Sequence, residues 1–519
     1  MKHLFSPTLS CLTRWARRWL TGRGATWRVA LLLWLSHVPY LWLYYPGCWG
    51  FPDTESSVNH YFGYADFTTW LCGGTAAHPL CNHHPIVYTY LYGGLMQLGA
   101  WAGSVEAAVA AFLAVQAAVQ AVLLAVGVVW MTRRLRTRAT VVAVYALLPV
   151  FGMWSTLLLK DSVFALCTTA LVLCLWRWAR RMEGADTRRL WRLTVLTCGV
   201  LAAFMLSKNQ CVYLVCLTAL ALPLLYGRRA LLPAGVCVVW VAVYALFVGA
   251  LPRMGVATSG PQEMLGTAFQ QTARYVRYYP NEVRPEERAA IAAVLPYDSL
   301  AVLYDATNQD AVKFCYRRSA TAAERRAYLR VWAAMGLRRP TCYAQSVWLG
   351  CRGYFVPTGR YTLFYPTHTY EAEHAALFPR RALWPSAPCG MAAWAGVPVV
   401  GWVVDMGFLI PLFVVCYVWA MWRRQRAVVL SFVPCALSVL VLVVSPVDGS
   451  FRYVMPIVWH LPLLCGAVCE ARNRAQGRAQ AASVRQRQGV DFPPKKALTK
   501  ALFYKPLTAR AYFPNIAVR

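Results

Sequence analysis

The sequence predicts an all-α polytopic membrane protein: a bundle of about ten transmembrane helices with juxtamembrane helices and an extracytoplasmic domain. Three observations predict it. Hydrophobic residues fill 58% of the chain and charged residues only 14%, a balance foreign to soluble globular domains. Mean hydropathy is +0.42, and apolar stretches recur at about 20 residues, the length that crosses hydrocarbon. The Lys and Arg behind a net charge of +31 fall largely in short runs beside those stretches, the mark of cytoplasmic loops. The charge is therefore topological and implies no nucleic-acid partner.

Residues 1–26 read as a basic cytoplasmic N-terminus. The first span, 27–46, reads as a retained signal-anchor, because Leu31 to Tyr45 is bulky and lacks a small-residue cleavage site. Further spans are expected at 106–131, 139–159, 162–178, 191–207, 210–226, 230–250, 391–421, 427–445 and 453–469. With both termini inside, the Arg runs at 133–138, 177–192, 228–229, 423–426 and 472–487 all become cytoplasmic. That parity requires 83–101, which opens with His-His-Pro, to lie on the outer surface as a juxtamembrane helix. The organisation is then an N-terminal membrane module, 27–250, with an outer loop at 47–105. An extracytoplasmic domain, 251–390, includes the helical-looking "RPEERAAIAAVL". Last membrane helices at 391–469 and a basic cytoplasmic tail at 470–519, attracted to anionic lipid, complete it. No internal repeat, Walker loop, dinucleotide fingerprint or zinc-protease motif is present in the sequence. Most of the eighteen cysteines fall in spans as small apolar residues. On the outer side are Cys48, Cys72, Cys81, Cys315, Cys342, Cys351 and Cys389, with Cys72–Cys81 and Cys342–Cys351 as candidate bridges.

Polar residues that interrupt apolar sequence carry the functional reading. Asp53 and Glu55 in "FPDTES" follow the first span, and His83 and His84 in "CNHHPIVYT" open the juxtamembrane helix. Lys160 and Asp161 in "LLLKDSVF", Lys208 and Asn209 in "LSKNQCVY", and Asp448, Arg452 and Tyr453 in "PVDGSFRYVMP" join later spans. In this topology all lie at the outer membrane surface, where a charge near hydrocarbon is costly and marks a site. Carboxylates and cations gathered there suit a sugar attached to polyprenyl phosphate. Cations hold the phosphate as it leaves, and a carboxylate takes the proton of an attacking acceptor. Such a donor needs no cytoplasmic nucleotide.

The order of these motifs resembles the GT-C superfamily of polyprenyl-phosphate-sugar glycosyltransferases, to which protein O-mannosyltransferases and lipid A aminoarabinose transferases belong. "YPGCWGFPDTES", "NHHPIVYT", "LLKDSVFA", "EMLGTAFQQTARYV" and "FRYVMPIVWHLPLL" resemble an uncharacterised bacterial multi-pass family placed in that superfamily, over roughly residues 27–470. The resemblance implies a multi-pass protein of a bacterial cell membrane that transfers a sugar with inversion. Its partners would be the lipid-linked sugar, membrane lipid and an extracytoplasmic glycan, lipid or protein acceptor. It implies Asp53 as the catalytic carboxylate and His84 as a contact to the donor phosphate. The gathering of polar residues on the outer side adds Glu55 beside Asp53, and His83, Lys160 and Arg452 as further phosphate ligands, supported by Asp161, Lys208, Asn209, Asp448 and Tyr453; Gln270, Gln271 and Arg274 in the outer domain are candidates for the acceptor side. The sequence departs from the superfamily where Thr54 separates Asp53 from Glu55 and Ile86 follows Pro85. The first departure approaches the spacing of metal-using relatives, so a divalent ion, magnesium or manganese, on Asp53 and Glu55 stays open, although two carboxylates alone hold a metal weakly.

Plainer readings compete. Asp53 can be a loop acid or a helix cap, His83 and His84 interfacial polar residues, the Lys160–Asp161 and Asp448–Arg452 segments structural ion pairs, and Lys208 a snorkelling side chain. A non-enzymatic transporter or flippase for a lipid-linked envelope precursor is the alternative function. It should show charges in mid-span, inverted repeats and polar groups facing both sides. The sequence instead gathers its charges on one side, which favours the enzyme.

Overall fold

Long apolar stretches must satisfy their own backbone groups, and helices do so within one segment. The computed structural model describes residues 14, 16–48, 52–184, 190–357, 377–378, 397, 400–444 and 447–471. Over these residues the protein is helical, and extended segments meet only in isolated bridges. Residues 1–13, Cys389, most of 358–399 and the tail beyond 471 lie outside the described residues.

The first helices are α1 (Ala25–Leu43), α2 (Pro52–Tyr61), α3 (Phe67–Leu71), α4 (Ile86–Trp101), α5 (Val105–Met131), α6 (Leu135–Leu147) and α7 (Pro149–Trp154). After them come α8 (Lys160–Glu183), α9 (Leu190–Ser207), α10 (Cys211–Tyr226) and α11 (Leu231–Ala250). Four stretches are long and apolar enough to cross a membrane: Val105–Met131, Lys160–Glu183, Cys211–Met254 and Phe451–Ala471. Trp191–Ser207, Met406–Trp422 and Val433–Val443 are shorter apolar helices. Leu224 and Leu246 on the α10–α11 hairpin are 84% and 75% exposed. Water makes such surface costly, whereas lipid does not. Central to the bundle is α8, which packs against α5, α9 and the last helices.

Two expected spans are broken. The stretch 139–159 divides because Pro149 has no N–H and pushes Leu148 into an extended conformation (φ −76°, ψ 120°). After α7 the chain unwinds, and buried neighbours satisfy its freed carbonyls. Gln116 donates to Ser155 O and Leu157 O at 3.4 and 3.2 Å, Thr54 Oγ1 donates to Leu158 O at 2.7 Å, and Cys48 N donates to Thr156 O at 2.9 Å. Only in such a protein-lined setting does non-helical backbone persist between apolar helices. The break delivers Lys160 as the first residue of α8. Likewise 427–445 divides into two short helices at 426–431 and 433–443, the second with Pro434 in its first turn.

A second layer contains α12 (Gln262–Tyr278), α13 (Pro285–Ala292), α14 (Ala322–Arg338) and α15 (Pro340–Cys351). Local signals set its boundaries: Pro285 opens α13 with Glu287 accepting from Arg284 N at 3.0 Å, and Thr321 with Glu324 forms a capping box on α14. Phe269, Tyr275, Ile291, Leu295, Tyr328 and Met335 make its core. Asp448 ties this layer to the chain ahead of the last helix, accepting from Gly353 N and donating its own N–H to Thr307 O, both at 2.8 Å. The final helices are α16 (Met406–Trp422), α17 (Arg426–Ser431), α18 (Val433–Val443) and α19 (Phe451–Val458), which continues to Ala471. Trp459 stacks on Trp154 at 5.7 Å, joining the last helix to α7.

The cysteines differ from expectation. No disulfide is present among the described residues. Cys342 and Cys351 stand at opposite ends of α15, about 13 Å apart along a helix rising 1.5 Å per residue, beyond the reach of a bridge. Cys72 and Cys81 are likewise free thiols, with Cys72 beside Ser259 Oγ at 3.7 Å and Cys81 donating to Thr68 O at 3.5 Å.

α2 and α4 pack closely at Gly93, where a Cβ would overlap Cβ and Cγ of Tyr61. Gly93→Ala is expected to destabilise the detergent-solubilised protein by about 1–3 kcal/mol through overpacking. Gly94, with open space beside it, is the control: a melting temperature lowered equally by Gly94→Ala would refute the packing account.

Candidate functional site

The site begins with a carboxylate in the first turn of α2. Thr54 anchors that turn to the unwound segment before α8, and Ser57 Oγ donates to Asp53 O at 2.9 Å. Asp53 Oδ2 receives Lys160 Nζ at 2.7 Å and Arg452 Nη1 at 2.7 Å, while Oδ1 lies 3.7 Å from His84 Nε2. Four residues from α2, the loop before α4, the start of α8 and the start of α19 therefore converge on one point. All are largely withdrawn from solvent.

Electrostatics assign their protonation. Burial pushes the Asp53 carboxyl upward, but Arg452, Lys160 and His84 overcome it and hold the group well below the usual carboxylate range. Asp53 is thus ionised. Burial, with Lys160 beside it, drives the His84 imidazole well below its ordinary value, so the ring is neutral. Lys160 Nζ donates to His84 Nδ1 at 2.5 Å. An ammonium has no acceptor lone pair, which places the imidazole proton on Nε2, facing Asp53.

A second buried pair flanks the first. Lys208 Nζ lies 2.5 Å from Asp161 Oδ1, and Asp161 is 1% exposed. The Lys208 ammonium also sits over the Tyr453 ring, 5.0 Å from its centroid. Asn209 acts on the histidine loop: its amide donates to Asn82 O and His83 O at 3.1 and 3.2 Å, and Tyr244 OH donates to its carbonyl at 3.1 Å. Asn82 Oδ1 accepts from Ile86 N at 2.8 Å, starting α4.

The other expected site residues fall elsewhere. Glu55 follows Asp53 by two positions on the same helix, a spacing that turns side chains to different sides. Asp53 and Glu55 thus do not form a shared metal site, and no group of three or more His, Cys, Asp or Glu among the described residues could hold a metal ion. His83 turns to the start of α12, its Nδ1 3.1 Å from Ser259 Oγ and 3.9 Å from Glu263. Gln270, Gln271 and Arg274 are built into the second layer. Gln270 donates to Asp305 O, Gln271 accepts from Trp332 Nε1 at 3.0 Å, and Arg274 donates to Tyr304 OH at 2.8 Å and Gln345 Oε1 at 2.7 Å. Sequence reasoning did not single out Glu263 or Lys313, which pair at 3.3 Å beside His83. Glu263 stands in the quoted "EMLGTAFQQTARYV"; nothing local marks Lys313.

Two turns along α2 from Asp53, His60 pairs with Asp66 at 3.1 Å and contacts Thr69 Oγ1 at 2.8 Å. Asp66 is the cap of α3. Burial lowers the His60 value, but its hydrogen bond to Asp66 prevails and lifts it to about 9. Cys81 is not an anionic partner, because the neighbouring Cys72 thiol and burial push that thiol up and keep it protonated. A raised histidine stabilises the fold fully below its unfolded value near 6.5, and that stabilisation is lost as pH rises through about 9. Wild type is therefore expected to lose on the order of 1–3 kcal/mol across that window relative to His60→Gln. Parallel melting-temperature profiles of the two proteins would rule out the ion pair.

A family model, DUF6020, described as a family of unknown function, matches residues 74–482. The matched range includes His84, Lys160, Lys208 and Arg452 and begins after Asp53. No curated protein and no solved structure matches the chain.

Proposed function

We propose a function for this chain, which belongs to the DUF6020 family of unknown function: it is a multi-pass membrane glycosyltransferase that moves a sugar, with inversion, from a polyprenyl-phosphate donor to an extracytoplasmic acceptor. One observation carries the reading. In the buried cluster, the three cations Lys160, Lys208 and Arg452 face the two carboxylates Asp53 and Asp161, with His84 neutral between them. Buried ion pairs stabilise poorly against apolar replacements, so an excess of positive charge beside apolar helices argues for an anionic ligand at headgroup depth. The resemblance of the motif order to the GT-C superfamily supports the same substrate class and its topology of about ten spans.

In this mechanism Arg452 and Lys160 bind the donor's phosphate oxygens, and the His84 Nε2–H donates to one of them. The acceptor oxygen attacks the anomeric carbon from the face opposite the phosphate. The new carbon–oxygen bond forms as the old one breaks, the electron pair leaves with polyprenyl phosphate, and the acceptor's proton passes to Asp53. As Arg452 and Lys160 turn part of their charge to the phosphate, the proton affinity of Asp53 rises. A carboxylate too acidic at rest becomes a competent base only with donor present.

Lipid-linked-sugar profiling of cells lacking the protein is the direct test. The expected result is accumulation of one polyprenyl-phosphate sugar on the outer leaflet together with loss of one glycan modification. Accumulation on the inner leaflet would replace transfer with flipping.

A further inference from the structure

A concavity of about 160 Å³ lies where α3 meets the second layer, lined by Phe67, Trp70, Gln262, Lys313, Phe314 and Arg318. Phe67 and Trp70 are 55% and 53% exposed and Phe314 38%, and Phe67 meets Phe314 edge to face at 4.8 Å. The polar wall is fixed in advance. Lys313 is held by Glu263 at 3.3 Å and Asp310 at 2.9 Å; Arg318 donates to Leu71 O and to Cys72 O; and the Gln262 amide donates to Leu71 O at 3.1 Å.

This composition selects a ligand class. Aromatic rings left open around a hollow offer faces for apolar C–H groups, while Lys and Arg donors at the wall suit hydroxyl oxygens. The Lys313 charge is already matched by Glu263 and Asp310, and Arg318 is oriented by two backbone carbonyls, so the wall presents donors fixed in place. The volume is well below the roughly 300–1,000 Å³ of drug-sized sites, leaving room for a single ring. A pyranose combines apolar faces with a hydroxyl-bearing edge at that size. A relay of side-chain contacts runs from the hollow towards the Asp53 cluster: Glu263 holds Lys313 on one side and faces His83 at 3.9 Å on the other. The His83 ring stands 4.7 Å from that of His84.

We propose that this hollow binds one hexopyranose residue of the acceptor glycan, with its ring against Trp70 and Phe314 and its hydroxyls on Lys313 and Arg318. The inference rests on the transfer reading of the Asp53 cluster and narrows the acceptor to a glycan.

The test is binding of the detergent-solubilised full chain to arrayed oligosaccharides of glucose, mannose, galactose and N-acetylglucosamine. Wild type is expected to retain at least one series, Trp70→Ala and Phe314→Ala to weaken it by about tenfold or more, and Trp70→Phe to keep most of it. Asp53→Asn should bind the same sugars as wild type, because Asp53 does not line the hollow. Sugar binding that depends on Trp70 in a protein that transfers nothing would keep the hollow and overturn the transferase reading. Transfer with sugar binding and acceptor KM unchanged in Trp70→Ala and Phe314→Ala would overturn the hollow and keep the transferase. Wild type that binds no arrayed sugar overturns the inference, as does Trp70-dependent binding to phosphatidylglycerol vesicles alone, which would make these rings a membrane contact.

Discussion

If the proposed sugar transfer holds, Asp53→Asn is expected to abolish it, lowering turnover by at least about 10²–10⁴-fold, the usual contribution of a positioned general base. Asparagine keeps the shape and one oxygen for Arg452 or Lys160, but it cannot accept the acceptor's proton. It also removes the charge on which Lys160, Arg452 and His84 converge. Breaking a buried pair from one side costs about 3–5 kcal/mol, so lost activity alone could reflect a weakened fold. A second readout separates the causes. With one carboxylate fewer, the cluster has a larger unbalanced positive charge, so polyprenyl phosphate should raise the melting temperature of Asp53→Asn more than that of wild type. A folded Asp53→Asn protein that still turns over donor within a few-fold of wild type would remove Asp53 from the chemistry.

The Lys208–Asp161 pair should show the largest coupling in the protein. Asp161 is 1% exposed and Lys208 8%, and beyond Asp161 the ammonium has two aromatic faces, Tyr453 at 5.0 Å and Phe164 at 5.4 Å. Asp161→Asn or Lys208→Met alone leaves an uncompensated buried charge, at a cost of about 3–5 kcal/mol each. The double variant leaves none and should recover much of that loss, giving a coupling of at least about 2 kcal/mol. Chemical denaturation of the four proteins in one detergent measures the cycle. Additive losses would show that each side chain acts through other contacts and not through the pair.

Some of this protein was legible in one dimension because the relevant physics is local. Hydropathy over a membrane thickness marked the apolar helices at Val105–Met131 and Lys160–Glu183. The helical-looking "RPEERAAIAAVL" marked α13. The polar interruptions at Asp53, His84, Lys160 and Arg452 stood out because a charge beside apolar sequence is costly wherever the chain folds. Their meeting was not legible. Arg452 and Asp53 are 399 residues apart, and no local pattern states which helix end faces which. The rupture of 139–159 depended on Gln116 and Thr54, two distant side chains able to satisfy the freed carbonyls. Gln270, Gln271 and Arg274 were drawn into the second layer by partners up to 72 residues away, and Lys313 reached the site only through Glu263. Composition and hydropathy thus determined which segments are apolar and where charge interrupts them, since each depends on a residue and its chain neighbours. Tertiary packing decided which charges share a carboxylate and which aromatic rings face a hollow, since Coulomb and contact energies depend on distance through space.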